Sequence, residues 1–302
     1  MNTRAYIITG PTASGKSGFA HELARRINGT IINCDSVQIY RGIENIAASP
    51  FAPFVAKSNN AYDFIDGVPY RLFSILPLTE QISVADYLTL ARQEYDVAIK
   101  DGRTPIFVGG TGYYINAIIN GISPMPDVSD ENRTRARQMV TDDIETARAM
   151  LPADFTATDP QRVARALEVF LETGRHITEF QNVPRIGAIA PDAVRILICP
   201  ETDNLRQRIA SRIPEMLEQG ALVEAERIIE SGWDTRRAIG APQAVAISRG
   251  EMSHDDAVAQ WITKTNQYAK RQRTWFRTQF NPGIVINRTP TDADLEMVLS
   301  QH

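Results

Sequence analysis

The sequence Gly10-Pro-Thr-Ala-Ser-Gly-Lys-Ser17 directly follows the apolar run Ala5-Tyr-Ile-Ile-Thr9. It matches the pattern G-x-x-x-x-G-K-[ST] at every fixed position. Beyond it, apolar residues recur at three- and four-residue spacing at Phe19, Ala20, Leu23, Ala24 and Ile27. This order predicts a strand, a glycine-rich loop and an amphipathic helix that Gly29 ends.

Such a loop binds phosphate groups for simple physical reasons. Its backbone N–H groups point inward, and the N-terminus of the next helix adds a partial positive charge. Lys16 supplies a full charge for the terminal phosphate oxygens, and Ser17 supplies a hydroxyl that ligates Mg²⁺. The predicted phosphate-binding residues are Gly10, Pro11, Thr12, Ala13, Ser14, Gly15, Lys16 and Ser17. The motif does not specify which molecule carries the phosphate.

The composition limits the class of protein. The 302 residues carry a formal net charge of −4, so no overall positive field attracts nucleic acid and any such surface must be local. Cys34 and Cys199 each end an apolar run, and we expect both thiols to be buried and structural. No apolar run approaches the ~18 residues of a membrane span, and the N-terminus lacks a signal-peptide pattern. We therefore expect a cytoplasmic protein.

Strand-like runs alternate with helical patterns along most of the chain, at residues 5–9, 30–34, 104–108, 194–199 and 284–286. This alternation predicts an α/β fold of the P-loop NTPase type, with a mostly parallel sheet flanked by helices. Residues 113–190 show no strand pattern and two helical segments, near Glu131–Met150 and Pro160–Thr173. We interpret them as a helical insertion domain at the carboxyl edge of the sheet, within a catalytic core of residues 1–112 and 191–302.

Two segments follow strand-like runs and therefore belong at the same sheet edge as the phosphate loop. Asp35 ends the second run, where an aspartate is a Mg²⁺ ligand, a helix cap or a general base. The third run ends in Gly109-Gly-Thr-Gly112. Glycines allow a backbone to approach a ligand closely, and Thr111 offers a hydroxyl. Three glycines around a threonine favour a ligand-binding role over a plain turn.

Polar and basic residues recur on the predicted helices near this edge. They are Arg133, Arg135 and Arg137 on the first insertion helix, Gln161, Arg162 and Arg165 on the second, and Arg208 and Arg212 beyond the insertion. Each one alone is typical of a solvated helix face. Their shared location favours a role in ligand binding.

The last long helix, about Asp256 to Arg277, has two distinct faces at 100° per residue. The face predicted to pack inward carries Trp261, Thr265, Tyr268, Gln272 and Trp275. The face predicted to point outward carries Lys270, Arg273 and Arg277. On an acidic protein this basic face is either a local binding surface for RNA phosphates or an ordinary solvated face.

Five motifs occur in an order that resembles the tRNA dimethylallyltransferases, over nearly the whole chain. They are Gly10-Pro-Thr-Ala-Ser-Gly-Lys-Ser17, Asp35-Ser-Val-Gln-Ile-Tyr-Arg-Gly42, Val108-Gly-Gly-Thr-Gly-Tyr113, Asp159-Pro-Gln-Arg162 with Arg165-Ala-Leu-Glu168, and Lys270-Arg-Gln-Arg-Thr-Trp275. These enzymes prenylate the adenosine just 3′ of the anticodon, using dimethylallyl diphosphate and Mg²⁺. The resemblance implies the same fold and activity here, in a protein that we expect to be monomeric.

The resemblance also implies roles for individual residues. Asp35 is the base that takes the proton of the adenine amine, assisted by Thr111, while Lys16, Ser17 and one of Arg208 and Arg212 stabilise the departing pyrophosphate. The insertion clasps the anticodon stem-loop, from which the target base is extruded. The implied tRNA contacts are Asp35, Ser36, Val37, Gln38, Thr111, Arg133, Gln161, Arg162, Val163, Ala164 and Arg165, together with Lys270, Arg273 and Arg277.

Three departures from the family pattern stand out. Tyr70-Arg71 replaces a His-His pair, Ile46-Ala-Ala-Ser49 replaces Gly-Thr-Ala-Lys, and Gly240-Ala-Pro242 replaces a Gly-Tyr.

The alternative functions are an adenylate isopentenyltransferase acting on free AMP, ADP or ATP, and a small-molecule kinase. A non-catalytic RNA-binding module would have no use for a phosphate loop beside a carboxylate.

Overall fold

The computed structural model describes residues 4–52 and 64–300. Within this part, the residues up to Ile119 and those from Ile189 onward form one compact unit, and Asn120–Ala188 form a second. We call them the core unit and the helical unit. The helical unit begins at Asn120 and not at residue 113, because the intervening helix packs in the core unit: the ring of Tyr114 stacks on that of Tyr87, with centroids 3.6 Å apart.

The first half of the core unit contains the elements that follow the phosphate-loop motif. They are β1 (Tyr6–Thr9), α1 (Lys16–Arg26), β2 (Gly29–Asn33), β3 (Phe64–Ile65), β4 (Val68–Arg71), α2 (Val84–Lys100), β5 (Thr104–Gly109) and α3 (Gly112–Asn120). Helix α1 buries Phe19, Ala20, Leu23 and Ala24, which confirms its predicted apolar face. It ends at Arg26, and Gly29 begins β2 instead of stopping the helix.

The helical unit contains α4 (Asp130–Asp142), α5 (Ile144–Ala149), α6 (Pro160–Thr173) and α7 (Ile177–Gln181). Its core includes Val163, Ala166, Leu167 and Val169. The single helix predicted near Glu131–Met150 is two helices. Asp143 has an extended backbone and caps α5, since its side chain accepts hydrogen bonds from the N–H groups of Glu145 and Thr146.

The second half of the core unit returns the chain to the sheet. Its elements are β6 (Val194–Ile198), α8 (Thr202–Met216), α9 (Leu222–Ser231), α10 (Ala241–Ser248), α11 (His254–Gln279), β7 (Ile284–Ile286) and α12 (Asp292–Leu299). None of the helices in the described residues is long and apolar enough to cross a membrane.

The strands of the described chain form one seven-stranded sheet in the order β3-β4-β2-β5-β1-β6-β7. All pairs are parallel except β3 with β4. The predicted α/β fold with a mostly parallel sheet is therefore confirmed. The sequence missed the β3–β4 hairpin, because strands of two and four residues are too short to show a hydrophobic period.

The central strands place the predicted site residues together. Strand β1 lies between β5 and β6, and β2 lies beside β5. The segments that follow β1, β2, β5 and β6 therefore meet at the carboxyl edge of the sheet. The backbones of Gly109 and Cys34 approach so closely there that a Cβ on Gly109 would lie 2.2 Å from the Cys34 carbonyl carbon.

Candidate active site

The phosphate loop joins β1 to α1 and depends on two glycines in special conformations. Gly15 has a φ of 91° at the N-cap of α1, a conformation that disfavours other residues. A Cβ on Gly10 would lie 2.0 Å from the carbonyl oxygen of Ile198. The hydroxyl of Ser14 is buried and has no hydrogen-bond partner among the described residues. A buried polar atom without a partner in this loop is ready to bind a ligand oxygen.

The ammonium group of Lys16 lies over the loop, where Nζ donates a hydrogen bond of 3.3 Å to the carbonyl oxygen of Pro11. The pKa of Lys16 is lowered to about 8, mainly by burial; the Asp35 carboxylate opposes this shift and the cation of Arg212 adds to it. A bound anion would offset the cost of burying this charge.

Helix α8 brings two arginines to the loop. A terminal nitrogen of Arg212 donates a hydrogen bond of 2.9 Å to the hydroxyl of Thr12, and the Nε of Arg212 is buried without a partner among the described residues. Burial, followed by the charge of Arg208, lowers the pKa of Arg212. Arg208, on the same helix, also lies beside the loop and donates to the hydroxyl of Thr289 over 3.4 Å. Lys16, Arg208 and Arg212 thus form a cationic site around the loop.

Asp35 and Thr111 are held at the same sheet edge by short hydrogen bonds. The amide nitrogen of Asp35 donates to the side-chain oxygen of Asn33 over 2.8 Å. The Asp35 carboxylate accepts from the amide of Val37 through one oxygen, over 3.0 Å. The hydroxyl of Thr111 accepts from the amide of Ser36 over 3.0 Å. Asp35 therefore has a local capping contact, and its other oxygen has no hydrogen-bond partner among the described residues.

Gln272 of α11 connects the phosphate loop to the segment after β5. Its oxygen accepts from the amide of Thr12 over 2.8 Å, and its nitrogen donates to the carbonyl of Gly110 over 2.9 Å. A Cβ on Gly110 would lie 2.4 Å from that nitrogen, and one on Gly112 would lie 2.6 Å from the Trp275 ring. Gly110 and Gly112, which flank Thr111, thus leave room for the side chains of α11.

One cavity of about 560 Å³, which we call the phosphate-loop cavity, is lined by residues 12–17 of the loop, Asp35, Gln272 and both arginines of α8. Thr111 is not in this lining, but its hydroxyl contacts Ser36, which is. Its cations are Lys16, Arg208, Arg212, Arg236, Arg237 and Arg271, and its carboxylate is Asp35. Its apolar lining includes Ile46, Ala47, Ala48, Ile213, Met216 and Ile239. Sequence reasoning missed Arg236, Arg237 and Arg271, and it placed Gln272 only on an inward face. A phosphate-binding end, a carboxylate and an apolar wall meet in this space.

The two faces of α11 are largely as predicted. Trp261, Thr265 and Gln272 are buried, and Lys270 and Arg277 are exposed. Arg273 is half-buried and donates to the hydroxyl of Thr202.

A second cavity of about 810 Å³, which we call the α11 cavity, is lined by Lys270, Arg273 and Arg277. Arg206 also lines it, and its apolar lining includes Leu197, Leu205, Phe276 and Phe280. Cys199 lies there and is half-buried, so the expectation of burial holds for Cys34 but is wrong for Cys199. The predicted basic ridge is the rim of a concave surface.

The helical unit presents only part of its predicted RNA contacts to solvent. Gln161 and Arg162 are exposed. Val163 and Ala164 are 0% and 8% exposed, so their buried side chains offer little surface for the RNA contacts expected of them. Arg165 forms an ion pair with the buried carboxylate of Glu168 at 3.0 Å.

Two further arginines of this unit also form ion pairs. Arg137 pairs with Glu168 at 3.4 Å, and Arg133 pairs with Asp130 at 3.3 Å.

The residues that would hold a metal ion fit Mg²⁺ bound mainly by its substrate. No group of three His, Cys, Asp or Glu side chains is arranged for a metal among the described residues. Ser17 is exposed at the start of α1 and, with Asp35, lines the phosphate-loop cavity. Mg²⁺ commonly takes one or two protein ligands together with phosphate oxygens and water.

Two departures from the family pattern have structural explanations. Tyr70 is buried in β4 and its hydroxyl lies 3.0 Å from Nδ1 of His21, while Arg71 pairs with Glu94 at 3.5 Å. Ala241 is buried at the start of α10, after Gly240. A Cβ on Gly240 would lie 1.9 Å from the ring of Trp261, so this glycine is required for α11 to pack.

The fold and the cavity define a P-loop protein of the kind that transfers groups from phosphorylated substrates. The family model described as IPP transferase matches residues 38–279, and one described as isopentenyl transferase matches residues 3–63. The chain belongs to the IPP transferase family.

Relatives and solved structures agree with this membership. The chain is 37% identical to the tRNA dimethylallyltransferase of Azorhizobium caulinodans, over 91% of this chain and 89% of the relative. It is 36% identical to that of Rhizobium etli, over 92% and 94%. The crystal structure of the tRNA isopentenylpyrophosphate transferase of Bacillus halodurans is similar, with a TM-score of 0.68, 28% identity, and coverage of 99% of this chain and 95% of that one.

Proposed function

We propose that this protein transfers the dimethylallyl group of dimethylallyl diphosphate to the exocyclic N6 amine of the adenosine 3′ of the anticodon in tRNA, with release of pyrophosphate. Membership of the IPP transferase family and relatives named tRNA dimethylallyltransferase support tRNA prenylation. The observation that carries the proposal is that a phosphate loop, six cations, a carboxylate and apolar side chains line a single cavity.

The donor binds with its charged and apolar ends in different parts of this cavity. The backbone N–H groups of the loop, the Lys16 ammonium and the guanidinium groups of Arg208 and Arg212 bind the diphosphate. Arg212 already contacts the loop, because it donates to Thr12. The apolar wall receives the five-carbon group, since burial of CH₂ and CH₃ groups is favourable.

The reaction exchanges one bond for another. The amine nitrogen forms a bond to the first carbon of the dimethylallyl group, and the bond between that carbon and the diphosphate oxygen breaks. Pyrophosphate leaves with the bonding electron pair, and the amine proton passes to the carboxylate of Asp35. Lys16 and the arginines stabilise the charge that develops on the leaving group. Thr111 keeps the Asp35 segment in place through the amide of Ser36.

Ser17, together with diphosphate oxygens, would hold Mg²⁺ at the start of α1. The ion supplies additional positive charge for the leaving pyrophosphate. Asp35 remains the base in this proposal because one of its oxygens accepts from Val37 and the other has no hydrogen-bond partner among the described residues.

The tRNA contacts come from both units. In the core unit they are Asp35, Ser36, Val37, Gln38 and Thr111, with Lys270, Arg273 and Arg277 binding backbone phosphates. In the helical unit they are Gln161, Arg162, Arg133 and Arg165, the last two after exchange of their ion pairs for phosphate contacts. The unit as a whole clasps the anticodon loop. We propose that the protein acts as a monomer in the cytoplasm, where such a substrate is available.

An adenylate isopentenyltransferase would use the same donor but would not need a helical unit of residues 120–188. Purified protein is incubated with labelled dimethylallyl diphosphate, Mg²⁺ and either unmodified tRNA or AMP, ADP and ATP. We expect label on the adenosine 3′ of the anticodon after digestion of the tRNA to nucleosides. Label on free nucleotides but not on tRNA would contradict the proposal.

A further inference from the structure

A buried carboxylate far from the motifs contacts the wall of the phosphate-loop cavity. Glu224 lies near the start of α9 and is 1% exposed. One of its oxygens accepts from the amide of Asn45 over 2.7 Å and from the Asn45 side-chain nitrogen over 2.9 Å. The other accepts from the amide of Ile46 over 2.8 Å. One side chain thus binds three donors that lie about 180 positions earlier in the chain.

These donors belong to the segment that closes the cavity beyond Asp35. Ile46, Ala47 and Ala48 line the cavity, as does Gln38. The side-chain nitrogen of Gln38 donates to the carbonyls of Ala47 and Ala48 over 3.2 and 2.9 Å. The position of Gln38 is therefore coupled to that of the segment, and the segment is anchored by Glu224.

Burying the Glu224 carboxylate is energetically costly, so it depends on its three hydrogen-bond donors. The pKa of Glu224 is raised to about 7, mainly by burial; the donors of Asn45 and Ile46 oppose this shift, and the nearby carboxylate of Glu44 adds to it. A buried carboxylate persists in a fold only when hydrogen bonds compensate for its lost hydration. If Glu224 is removed, the buried N–H groups of Asn45 and Ile46 lose their acceptor, and the segment must move to find another.

The wall formed by Ile46 to Ala48 is apolar. Ile46 and Ala47 line the cavity together with the apolar side chains of Ile213, Met216 and Ile239. In the proposed reaction these side chains meet the prenyl group. The wall is also the stretch where Ile46-Ala-Ala-Ser49 departs from the family pattern.

We propose that Glu224 is a positioning residue that fixes the Ile46–Ala48 wall and thereby sets the length of prenyl group that the site accepts. This inference rests on the proposed function. Glu224 does not touch the substrate; it acts through the amides of Asn45 and Ile46. Among the described residues, Glu224 has no hydrogen bond to the phosphate loop, which binds the charged end of the donor. The loop should therefore keep its geometry when Glu224 is replaced.

The test compares binding of three ligands by calorimetry: inorganic pyrophosphate, dimethylallyl diphosphate and geranyl diphosphate, which has ten carbons. We expect Glu224→Ala to weaken dimethylallyl diphosphate binding about tenfold and to reduce discrimination against geranyl diphosphate about tenfold, with pyrophosphate affinity unchanged. Glu224→Gln should give a smaller change in the same direction, because its amide retains one acceptor oxygen.

Two further variants make the test decisive. Ile228 lies on the same helix as Glu224 and is buried, but it does not line the cavity. Ile228→Ala should therefore reduce stability without a change in ligand discrimination. Ile46→Ala changes the wall directly and should reproduce the loss of discrimination even if Glu224→Ala does not fold. Unchanged discrimination in Ile46→Ala, or an equal change in Ile228→Ala and Glu224→Gln, would overturn the inference. The proposed function fails separately, if the wild-type protein does not transfer label from dimethylallyl diphosphate to tRNA.

Discussion

Two cavities of the core unit both take cations from the same pair of helices, α8 and α11. The phosphate-loop cavity receives Arg208, Arg212 and Arg271, and the α11 cavity receives Arg206, Lys270, Arg273 and Arg277. In the first, burial lowers the pKa values of Lys16 and Arg212, and Asp35 lies among the cations. In the second, Lys270 and Arg277 are exposed to solvent.

The difference shows how burial assigns different tasks to the same residue types. A desolvated cation interacts strongly with one anion at a defined position, and it can stabilise a leaving group. An exposed cation is screened by salt and contributes affinity that is additive and only weakly specific. We therefore expect large, ligand-specific effects in the first cavity and small, salt-dependent effects in the second.

The largest expected effect is that of Asp35→Ala. As the general base, Asp35 contributes when the proton moves, so turnover should fall by about 10²- to 10⁴-fold, while donor and tRNA affinities stay within a few fold. The measurement is single-turnover kinetics with both affinities, repeated across a Mg²⁺ titration. If raised Mg²⁺ restores the variant, Asp35 is a metal ligand and the assignment as a base is wrong.

Lys16 should show its burial through the pH dependence of donor binding. Its pKa of about 8 in the free protein means that the ammonium loses its proton above that pH. A diphosphate favours the protonated form, so donor affinity should fall as pH rises from 7 to 9, about tenfold per unit above the pKa. Lys16→Ala should bind the donor more weakly at pH 7 and lose this dependence. Calorimetry of dimethylallyl diphosphate at several pH values measures both effects; a dependence that persists in the variant assigns it to another group.

A matched pair of single substitutions compares the cavities directly. Arg212→Gln removes a guanidinium that donates to Thr12, and Arg273→Gln removes one that donates to Thr202. Arg212→Gln should weaken inorganic pyrophosphate binding by about tenfold or more, since it removes a charge-assisted hydrogen-bond donor. Arg273→Gln should leave pyrophosphate binding unchanged. Equal losses would mean that both arginines act through the packing of α8 against α11.

The smallest effect per residue is expected at the rim of the α11 cavity. Replacement of Lys270, Arg273 and Arg277 together by Gln should weaken tRNA binding and flatten its salt dependence by about one unit of log–log slope per lost phosphate contact. Filter binding of unmodified tRNA at several salt concentrations measures the slope, and calorimetry of the donor is the control. A loss of donor affinity as large as that of tRNA affinity would show that the triple variant disturbs the fold.

Local patterns predicted the parts of the site that depend on consecutive residues. The strand, loop and helix around Lys16 follow from a spacing rule, and they form where the sequence places them. Asp35 and Thr111 follow buried parallel strands, so the rule that strand ends gather at one edge was enough to bring them together. The same local approach missed β3 and β4, which pair across a tight turn and are too short for a periodic signal.

Other parts of the site depend on contacts between residues far apart in the chain. Gln272 binds Thr12, 260 positions away, and no pattern in α11 distinguishes it from a residue that merely packs inward. Arg236 and Arg237 reach the cavity because the short turn before α10 folds against it. Val163 and Ala164 show the converse, since a motif that resembles an RNA-binding segment contains positions that the helix turns into its own core.

The sequence by itself determined the phosphate loop, the parallel sheet and the identity of the residues at the ends of its strands, because these follow from short spacing and from the geometry of parallel strands. The tertiary structure alone decided which cations lose their water, which glycines make room for α11 and that Glu224 supports the cavity wall. Desolvation and packing are set by neighbours from distant parts of the chain, and a linear pattern does not contain those distances.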